Sequence, residues 1–293
     1  TRLAHSMEYR YDGDAHSRLF RAYATDSEPF PVDISVCFPA RDYQREEFGL
    51  IRELLFPTCW NAPDLVRNEL AVLERLDGLG QIFLAGVCPY QTGEAERIVR
   101  NTLDTLPEVR ELVKLDVEAA YKGDPAAKSY TEVIRAYPGL LAVMIQRIAH
   151  VLYDEGAPEY ARELTEHAKV RTGIDIHPGA LLGPHVFIDH GTGVVIGESA
   201  TVGAWVRLYQ DVTLGALHFE PDEGDAKSLK KGYKRHPDIG DHVVIGAGAK
   251  VLGAVDVGDY VSIGANSWVT EDIPPHTSVY IKEHPTLERK PKA

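Results

Sequence analysis

The chain has 293 residues, of which 44% are hydrophobic and 26% are charged, a composition typical of a globular protein with its own core. Its net charge of -13 argues against nucleic acids and anionic membranes as main partners, because both bind basic surfaces. The chain has no apolar run long enough to span a membrane and no secretory signal pattern, so we expect neither a membrane span nor secretion.

Cysteines are confined to the first third of the chain, at Cys37, Cys59 and Cys88. Their number is odd and their spacing does not match that of a metal site. The pattern therefore predicts reduced thiols in a cytoplasmic protein, and we assign them no catalytic role.

The first part of the chain is predicted to be an α-helical domain over residues 1–170. Apolar residues recur at helical spacing from about residue 64 to residue 169, and the run 130–153 continues this pattern. Pro138-Gly139 should kink or break that run, since proline disrupts a helix interior. Residues 7–60 are rich in proline and aromatic residues and indicate only mixed helix and loop.

A different period begins at Gly173, where apolar positions recur every six residues. Such hexads predict a parallel β-helix, in which three short strands complete one triangular coil and the apolar anchors stack inside. We assign residues 171–293 to this second domain, with a projecting loop at 216–238 and a tail at 275–293. A β-sandwich is the alternative, although it would not keep a fixed phase. The anchors are Ile176, Leu182, Ile188, Ile196, Val202, Leu208, Leu214, Ile239, Ile245, Val251, Val257, Ile263 and Val269.

Two interruptions of the repeat carry ionisable residues. The first inserts Asp189-His190 into an otherwise apolar wall, and the second is the long segment between Leu214 and Ile239, which ends in Arg235-His236. Polar groups in an apolar wall carry a desolvation cost, and long loops in compact domains tend to be functional. We therefore expect these two pairs to be functional and the middle of the loop to be solvated.

Several strings resemble serine O-acetyltransferases, over about residues 120–275. They are DIHPGALLGPHVFIDHGTGVVIGESATVG, RHPDIGDHVVIGAGAKVLGAV and, in the helical half, GDPAAKSY. The resemblance implies an α+β protein, with a helical N-terminal domain followed by a left-handed β-helix. It also implies transfer of an acetyl group from acetyl-CoA to L-serine in cysteine biosynthesis, in trimers or dimers of trimers with active sites between subunits.

The same resemblance implies a general base and an orienting partner. A serine hydroxyl needs a base within hydrogen-bond reach, and histidine titrates nearest neutral pH. We assign this role to His190, with Asp175, one coil away, orienting its ring. No cysteine lies in the β-helix, so direct transfer is expected rather than a covalent acyl-enzyme.

The two charges of the amino acid also need partners. By the resemblance, Arg235 binds the carboxylate with assistance from His236, and Asp124 and Asp189 bind the ammonium group. The residues alone leave another reading of Asp124 open, because aspartate followed by proline is also typical of a helix N-terminus.

Small residues are implied for the acetyl-CoA site, with Ala247 and Ala265 along the pantetheine arm and Ala216 near the thioester. The sequence departs from the family at Gly215-Ala216, where Gly-Gly is usual, and in its longer loop.

We expect no metal. Feedback inhibition by L-cysteine is implied by the family. The complex with the next enzyme, a sulfhydrylase, is not expected, because the family binds it through a terminal Ile and this chain ends in ERKPKA.

Three alternatives remain open from the sequence. The same reaction on another acceptor, such as homoserine, is the first. A zinc carbonic anhydrase on the same β-helix is the second, since His185 and His190 have the H-x4-H spacing and His236 is conceivable as a third ligand. A non-catalytic β-helix scaffold is the third, although it gives no reason for the two ionisable pairs.

Overall fold

The structure is a computed structural model that describes residues 14–23, 43–225 and 227–282. The described residues from Tyr43 onward belong to one compact unit. Helix α1 (Ala15–Tyr23) lies outside that unit and is described by itself. Cys37 and the C-terminal ERKPKA lie outside the described residues. No helix in the described ranges is both long and apolar enough to cross a membrane.

Helices fill the unit up to residue 172, which confirms the helical prediction for residues 64–169. Short 3-10 helices at Pro57–Cys59 and Pro63–Val66 separate α2 from α3. Buried aliphatic and aromatic side chains from these helices form one continuous core. The remaining helices are α2 (Tyr43–Leu55), α3 (Glu69–Val87), α4 (Ala95–Asp104), α5 (Leu106–Gly123), α6 (Tyr130–Ala136), α7 (Pro138–Asp154) and α8 (Pro158–Thr172).

Helix ends follow the local chemistry of the sequence. Ser129 Oγ accepts a hydrogen bond from the backbone N–H of Glu132 and so caps α6. The predicted break at Pro138 is confirmed: Tyr137 has an extended backbone and Pro138 is the first residue of α7. Gly173, with a φ of 71°, ends α8 in the left-handed conformation that favours glycine.

The β-helix consists of short parallel strands arranged in three sheets, which we call A, B and C. Each strand pairs with the strand one coil away, and the anchors align in register; Ile196, for example, lies between Ile176 and Leu214. Sheet A contains β1 (Asp175–Ile176), β4 (Val195–Ile196), β7 (Thr213–Gly215), β10 (Lys250–Leu252) and β13 (Trp268–Val269). Sheet B contains β2 (Leu181–Leu182), β5 (Thr201–Val202), β8 (Asp238–Ile239) and β11 (Asp256–Val257). Sheet C contains β3 (Phe187–Ile188), β6 (Arg207–Leu208), β9 (Val244–Ile245), β12 (Ser262–Ile263) and β14 (Ser278–Val279).

Stacked anchors form the core of the β-helix, as the hexad pattern predicts. All of them are buried except Leu182, which is half-buried. Burying each such side chain contributes roughly 1.5–3 kcal/mol relative to exposure. The pattern missed the last part of the β-helix, because Ile273 follows Val269 by four residues instead of six. Ile273 is buried and bridges to Val257, and β14 lies within the range 275–293 that the sequence assigns to a tail.

Turns between the sheets form three edges of the prism: AB, BC and CA. The long insertion leaves the AB edge after β7 and returns at β8, and its Phe219 side chain is exposed. The BC edge carries a column of near-parallel rings whose centroids lie 3.9 to 6.4 Å apart. Every residue of this column has a left-handed backbone. Its members are His185, Trp205, His242, Tyr260 and His276.

A buried ion pair joins the helices to the first coil. Nε and Nη2 of Arg147 in α7 each donate to a carboxylate oxygen of Asp116 in α5 at 2.8 Å, and Nη2 also donates to the carbonyl of Gly183 at 2.7 Å. Asp116 accepts a further hydrogen bond from the backbone N–H of Val186. The pair therefore fixes how α5 and α7 lie against the β-helix.

Removing one partner of this pair should strongly destabilise the protein. We expect Asp116→Ala to lower the free energy of unfolding by about 3–5 kcal/mol, because Arg147 keeps a buried charge without compensation. Denaturant unfolding followed by circular dichroism measures the change. As a control, Glu111→Ala removes an exposed pair with Lys114 and should change little. Equal effects of the two variants would contradict the structural role of Asp116.

Candidate active site

His190 lies on the CA edge, in the turn between β3 and β4. Its φ of 59° is left-handed, and its side chain is 71% exposed. The neighbouring Asp189 side chain is only 17% exposed, and its Oδ2 lies 4.0 Å from His190 Nε2. The imidazole is therefore directed away from the stacked anchors, where a substrate can reach it.

Helix α7 brings a tyrosine to this edge. A Cβ atom at Gly139 would overlap the carbonyl oxygen of Ile188, so only glycine lets the first turn of α7 lie against β3. Tyr137, which precedes α7, donates a hydrogen bond of 2.5 Å from its hydroxyl to Asp124 Oδ2. Sequence reasoning missed Tyr137, because no residue pattern connects it with Asp124.

Asp124 is held as a carboxylate beside His190. The Tyr137 hydrogen bond first, then the backbone N–H of Ala126 and the charges of His190 and Arg207, lower the pKa of Asp124. The N-terminal reading of Asp124 is wrong: the residue ends α5, and its side chain turns the chain by accepting from Ala126 N at 2.7 Å. An ionised carboxylate at this place suits an ammonium group.

Arg207 is a further member of the CA-edge group that the sequence did not indicate. Its guanidinium lies 5.7 Å from the ring centre of Phe187. A Cβ atom at Gly123 would come within 2.8 Å of both side chains, so this glycine leaves room for Arg207 near Asp124. The residue occupies an ordinary strand position in β6, which gives no signal in the sequence.

Arg235 and His236 lie at a different edge, AB, where the long loop rejoins the coil. Arg235 Nη2 contacts Glu198 Oε2 at 2.6 Å, and the Tyr153 hydroxyl donates to Glu198 Oε1 at 3.1 Å. Burial alone would raise the pKa of Glu198, but the Arg235 hydrogen bond and charge outweigh it, so the pKa is lowered. Glu198 orients Arg235 and leaves other guanidinium donors free for a carboxylate. Sequence reasoning gave Glu198 no role in binding.

His236 is buried and neutral. Its Nδ1 accepts a hydrogen bond from the backbone N–H of Ser199 at 3.1 Å, which places the ring proton on Nε2. Burial, followed by the charge of Arg235, lowers the pKa of His236 to about 4. A Cβ atom at Gly197 would overlap this ring, so glycine at position 197 makes room for His236.

Asp175 lies in β1 and contacts two basic residues of α8. Lys169 Nζ donates to its Oδ2 at 2.8 Å, and Arg162 Nη1 lies 3.3 Å from its Oδ1. Sequence reasoning did not foresee these contacts, because the helical spacing of α8 gives no sign of the strand beside it. The pairing of Asp175 with His190 stays a prediction.

Two of the residues predicted to bind the cofactor lie on the same edge as His190. Ala247 and Ala265 occupy equivalent turns of successive coils, and Asn266 N donates to the Ala247 carbonyl at 2.8 Å. Their small side chains leave backbone groups accessible along the CA edge. Ala216 follows β7 at the AB edge, where the long loop begins.

The two histidines of the H-x4-H spacing considered for zinc lie on different edges of the prism. His185 lies on the BC edge, where it stacks on Trp205 at 3.9 Å and its Nε2 lies 3.3 Å from Glu118 Oε2. His190 lies on the CA edge. Within the described ranges, no three His, Cys, Asp or Glu side chains are grouped as ligands of one metal ion. The described cysteines, Cys59 and Cys88, are free and half-buried against the helical core.

The β-helix and its edge residues define a hexapeptide-repeat transferase. The family model "Bacterial transferase hexapeptide (six repeats)" matches residues 236–271. A plasmid-encoded serine acetyltransferase of Synechococcus elongatus is 42% identical over 257 residues, which cover 78% of this chain and 79% of that protein. The chain belongs to the serine acetyltransferase family.

Solved structures agree with this assignment. Serine acetyltransferase isoform 3 of Entamoeba histolytica, in complex with cysteine, is 45% identical, with a TM-score of 0.76 over 94% of this chain and 93% of that one. The Neisseria gonorrhoeae enzyme in complex with serine is 30% identical, with a TM-score of 0.55 over 81% of this chain and 96% of that one. The resemblance and the fold class predicted from the sequence are confirmed.

Proposed function

We propose that this protein transfers the acetyl group of acetyl-CoA to the hydroxyl of L-serine, giving O-acetylserine and CoA for cysteine biosynthesis in the cytoplasm. The observation that carries the proposal is the exposed imidazole of His190 beside the carboxylates of Asp189 and Asp124. Membership of the serine acetyltransferase family supports the choice of substrates.

The complete site forms between two copies of the chain. His190 and Asp124 lie on the CA edge, whereas Arg235 and His236 lie on the AB edge of the same prism. A contact between two different edges is heterologous, and repeating it around a threefold axis closes a ring. A trimer thus joins the CA edge of each copy to the AB edge of the next, and two such trimers can pair through their helical parts.

Within this site, each charge of serine has a partner. Arg235, oriented by Glu198, binds the carboxylate through its planar donors, and the neutral His236 contributes Nε2–H. Asp124 and Asp189 bind the ammonium group. These contacts hold the hydroxyl against His190, so that binding energy supplies the positioning that an uncatalysed encounter lacks.

Proton transfer is the task of His190. Its imidazole removes the hydroxyl proton as the serine oxygen attacks the acetyl carbonyl, and it returns this proton to the departing sulfur as the thioester bond breaks. Acetyl-CoA, when bound, supplies the activated acetyl group. Asp175 stabilises the imidazolium and fixes its orientation, and Ala247 and Ala265 let the pantetheine arm run along the CA edge.

Thiol release from acetyl-CoA in the presence of each acceptor tests this function. L-Serine should release CoA with formation of O-acetylserine, identified by its mass. L-Cysteine should inhibit competitively against serine, since it has the same two charged groups. Faster turnover with L-homoserine would overturn the proposed acceptor, and the second candidate, a homoserine acetyltransferase, would replace it.

Displacing His236 should weaken serine binding without removing a functional group. We expect Gly197→Ala to raise the KM for serine about tenfold or more, because a misplaced hydrogen bond costs roughly 1–3 kcal/mol. The measurement is a serine titration at saturating acetyl-CoA. Gly49→Ala, in α2 with open space around its Cβ, is the matched control and should leave KM unchanged. An unchanged KM in Gly197→Ala would remove His236 from serine binding.

A further inference from the structure

A cavity of about 210 Å³ lies among the helices, and it is lined in part by Tyr137, whose hydroxyl reaches Asp124 at the CA edge. It is lined by the last turns of α2, α6 and α8, the first turn of α7, and Trp60. Each of the three last turns contributes one arginine: Arg52, Arg135 and Arg171. Nothing in the proposed acetyl transfer uses these residues.

The three guanidinium groups line the same cavity, and each lies near an aromatic ring. Arg52 and Arg135 lie 4.7 and 5.1 Å from the ring centre of Trp60, and Arg171 lies 5.9 Å from that of Phe48. Burial, followed by repulsion from Arg171, lowers the pKa of Arg52. The charges of Arg52 and Arg171 therefore repel each other.

Among the residues that the structure describes, these three charges have no acidic partner. None of the salt bridges within the described parts of the chain involves Arg52, Arg135 or Arg171. The Arg135 side chain donates instead to the carbonyl of Cys59 at 2.5 Å. By contrast, Arg147 in the same helical region is fully paired with Asp116.

Helix dipoles account for only part of the charge. An arginine in a last turn is stabilised by the carbonyl end of its helix, which carries roughly half a negative elementary charge, and the N-terminus of α7 adds roughly half a positive one. The three guanidinium groups carry three positive charges, which the three carbonyl ends reduce and the one amide end increases. About two positive charges therefore remain around the cavity. This balance matches a dianion.

We propose that this cavity binds a phosphate-class dianion. The planar donors of arginine match phosphate oxygens, and the cavity is large enough for orthophosphate or for one phosphate of a nucleotide. Free phosphate and the phosphate groups of CoA from a neighbouring copy offer the same chemistry. Trp60 and the aliphatic start of α7 form the apolar wall of the site.

Calorimetric titration of the full-length protein with orthophosphate, at constant ionic strength set by chloride, tests the proposal without measuring activity. Binding should weaken at least tenfold in Arg52→Gln/Arg171→Gln, which removes two charges and keeps a polar, uncharged side chain at each position. Arg67→Gln, an exposed arginine away from the cavity, is the matched control and should bind as the wild type does. Thermal unfolding in chloride verifies that the double variant is folded, and phosphate should raise the Tm of the wild type more than that of the double variant.

The two sources of phosphate are separated by a second titration with CoA and 3′-dephospho-CoA. If the double variant binds CoA more weakly than the wild type does but binds dephospho-CoA equally well, the dianion is the 3′-phosphate of CoA. If it binds both equally well and only orthophosphate more weakly, the dianion is free phosphate. Binding of orthophosphate and of CoA that is the same in the wild type and the double variant would overturn the proposal.

Discussion

Replacement of His190 by alanine is expected to lower the turnover number with acetyl-CoA and L-serine at least ~100-fold, the low end of what a positioned general base supplies. The reason is geometric: His190 is the exposed imidazole on the CA edge, next to the carboxylates that would hold the serine ammonium group. The KM for acetyl-CoA should change little, because the proposed path of the pantetheine arm follows other turns. Steady-state kinetics with both substrates varied separates the two effects.

Backbone strain needs its own controls, because His190 has a positive φ that alanine tolerates poorly. His190→Asn keeps a residue that accepts this conformation and should be as inactive as the alanine variant. His242→Ala imposes the same strain, at a φ of 57° on the BC edge, and should keep full activity. Full activity in His190→Asn would exclude His190 as the base.

Mixed trimers should recover activity from two inactive chains. His190→Ala damages the CA edge and Arg235→Ala damages the AB edge, so a ring that contains both chains has one junction where two intact edges meet. Two differently tagged variants, co-expressed and purified through both tags, should therefore show about one third of wild-type activity, the share set by one intact junction among three. Each variant alone should remain near background.

A control mixture of two variants that are both damaged on the same edge shows whether recovery requires damage on different edges. His190→Ala and Asp189→Ala both damage the CA edge, so no junction in their mixed trimer is intact, and activity should stay at the background of the single variants. Recovery in this control as well, or in neither mixture, would contradict a site that is shared between CA and AB edges.

The fold was predictable from the sequence because each coil repeats the same physical requirement. A branched or aliphatic residue must fill the interior every six positions, so Ile196 or Val251 can be recognised without knowledge of any contact. Where the requirement changed, the prediction stopped: Ile273 closes the last coil after four residues, and β14 was not recognised.

The residues alone indicated candidate site positions only where they interrupted the repeat, whereas Asp124 and Asp175 came from the motif resemblance. Asp189-His190 was indicated because it disturbs an apolar wall and Arg235-His236 because it ends the long insertion, and the motif resemblance gave both pairs their proposed roles. Tyr137 and Glu198 were not, since their importance arises from contacts across distant segments, with Asp124 and Arg235 respectively. Such contacts depend on how α7 and the long loop lie against the coils, which residue spacing alone does not encode.

The long AB-edge insertion has a consequence for how the protein can vary. Because the chain leaves after β7 and returns at β8 with the parallel pairing of the coils intact, the number of residues in between is free of any register constraint. Arg235 and His236 are tied to the fixed turn at Ser199 rather than to the excursion itself. Loop length and substrate recognition can thus evolve separately, and relatives with short or long excursions can keep the same amino-acid chemistry.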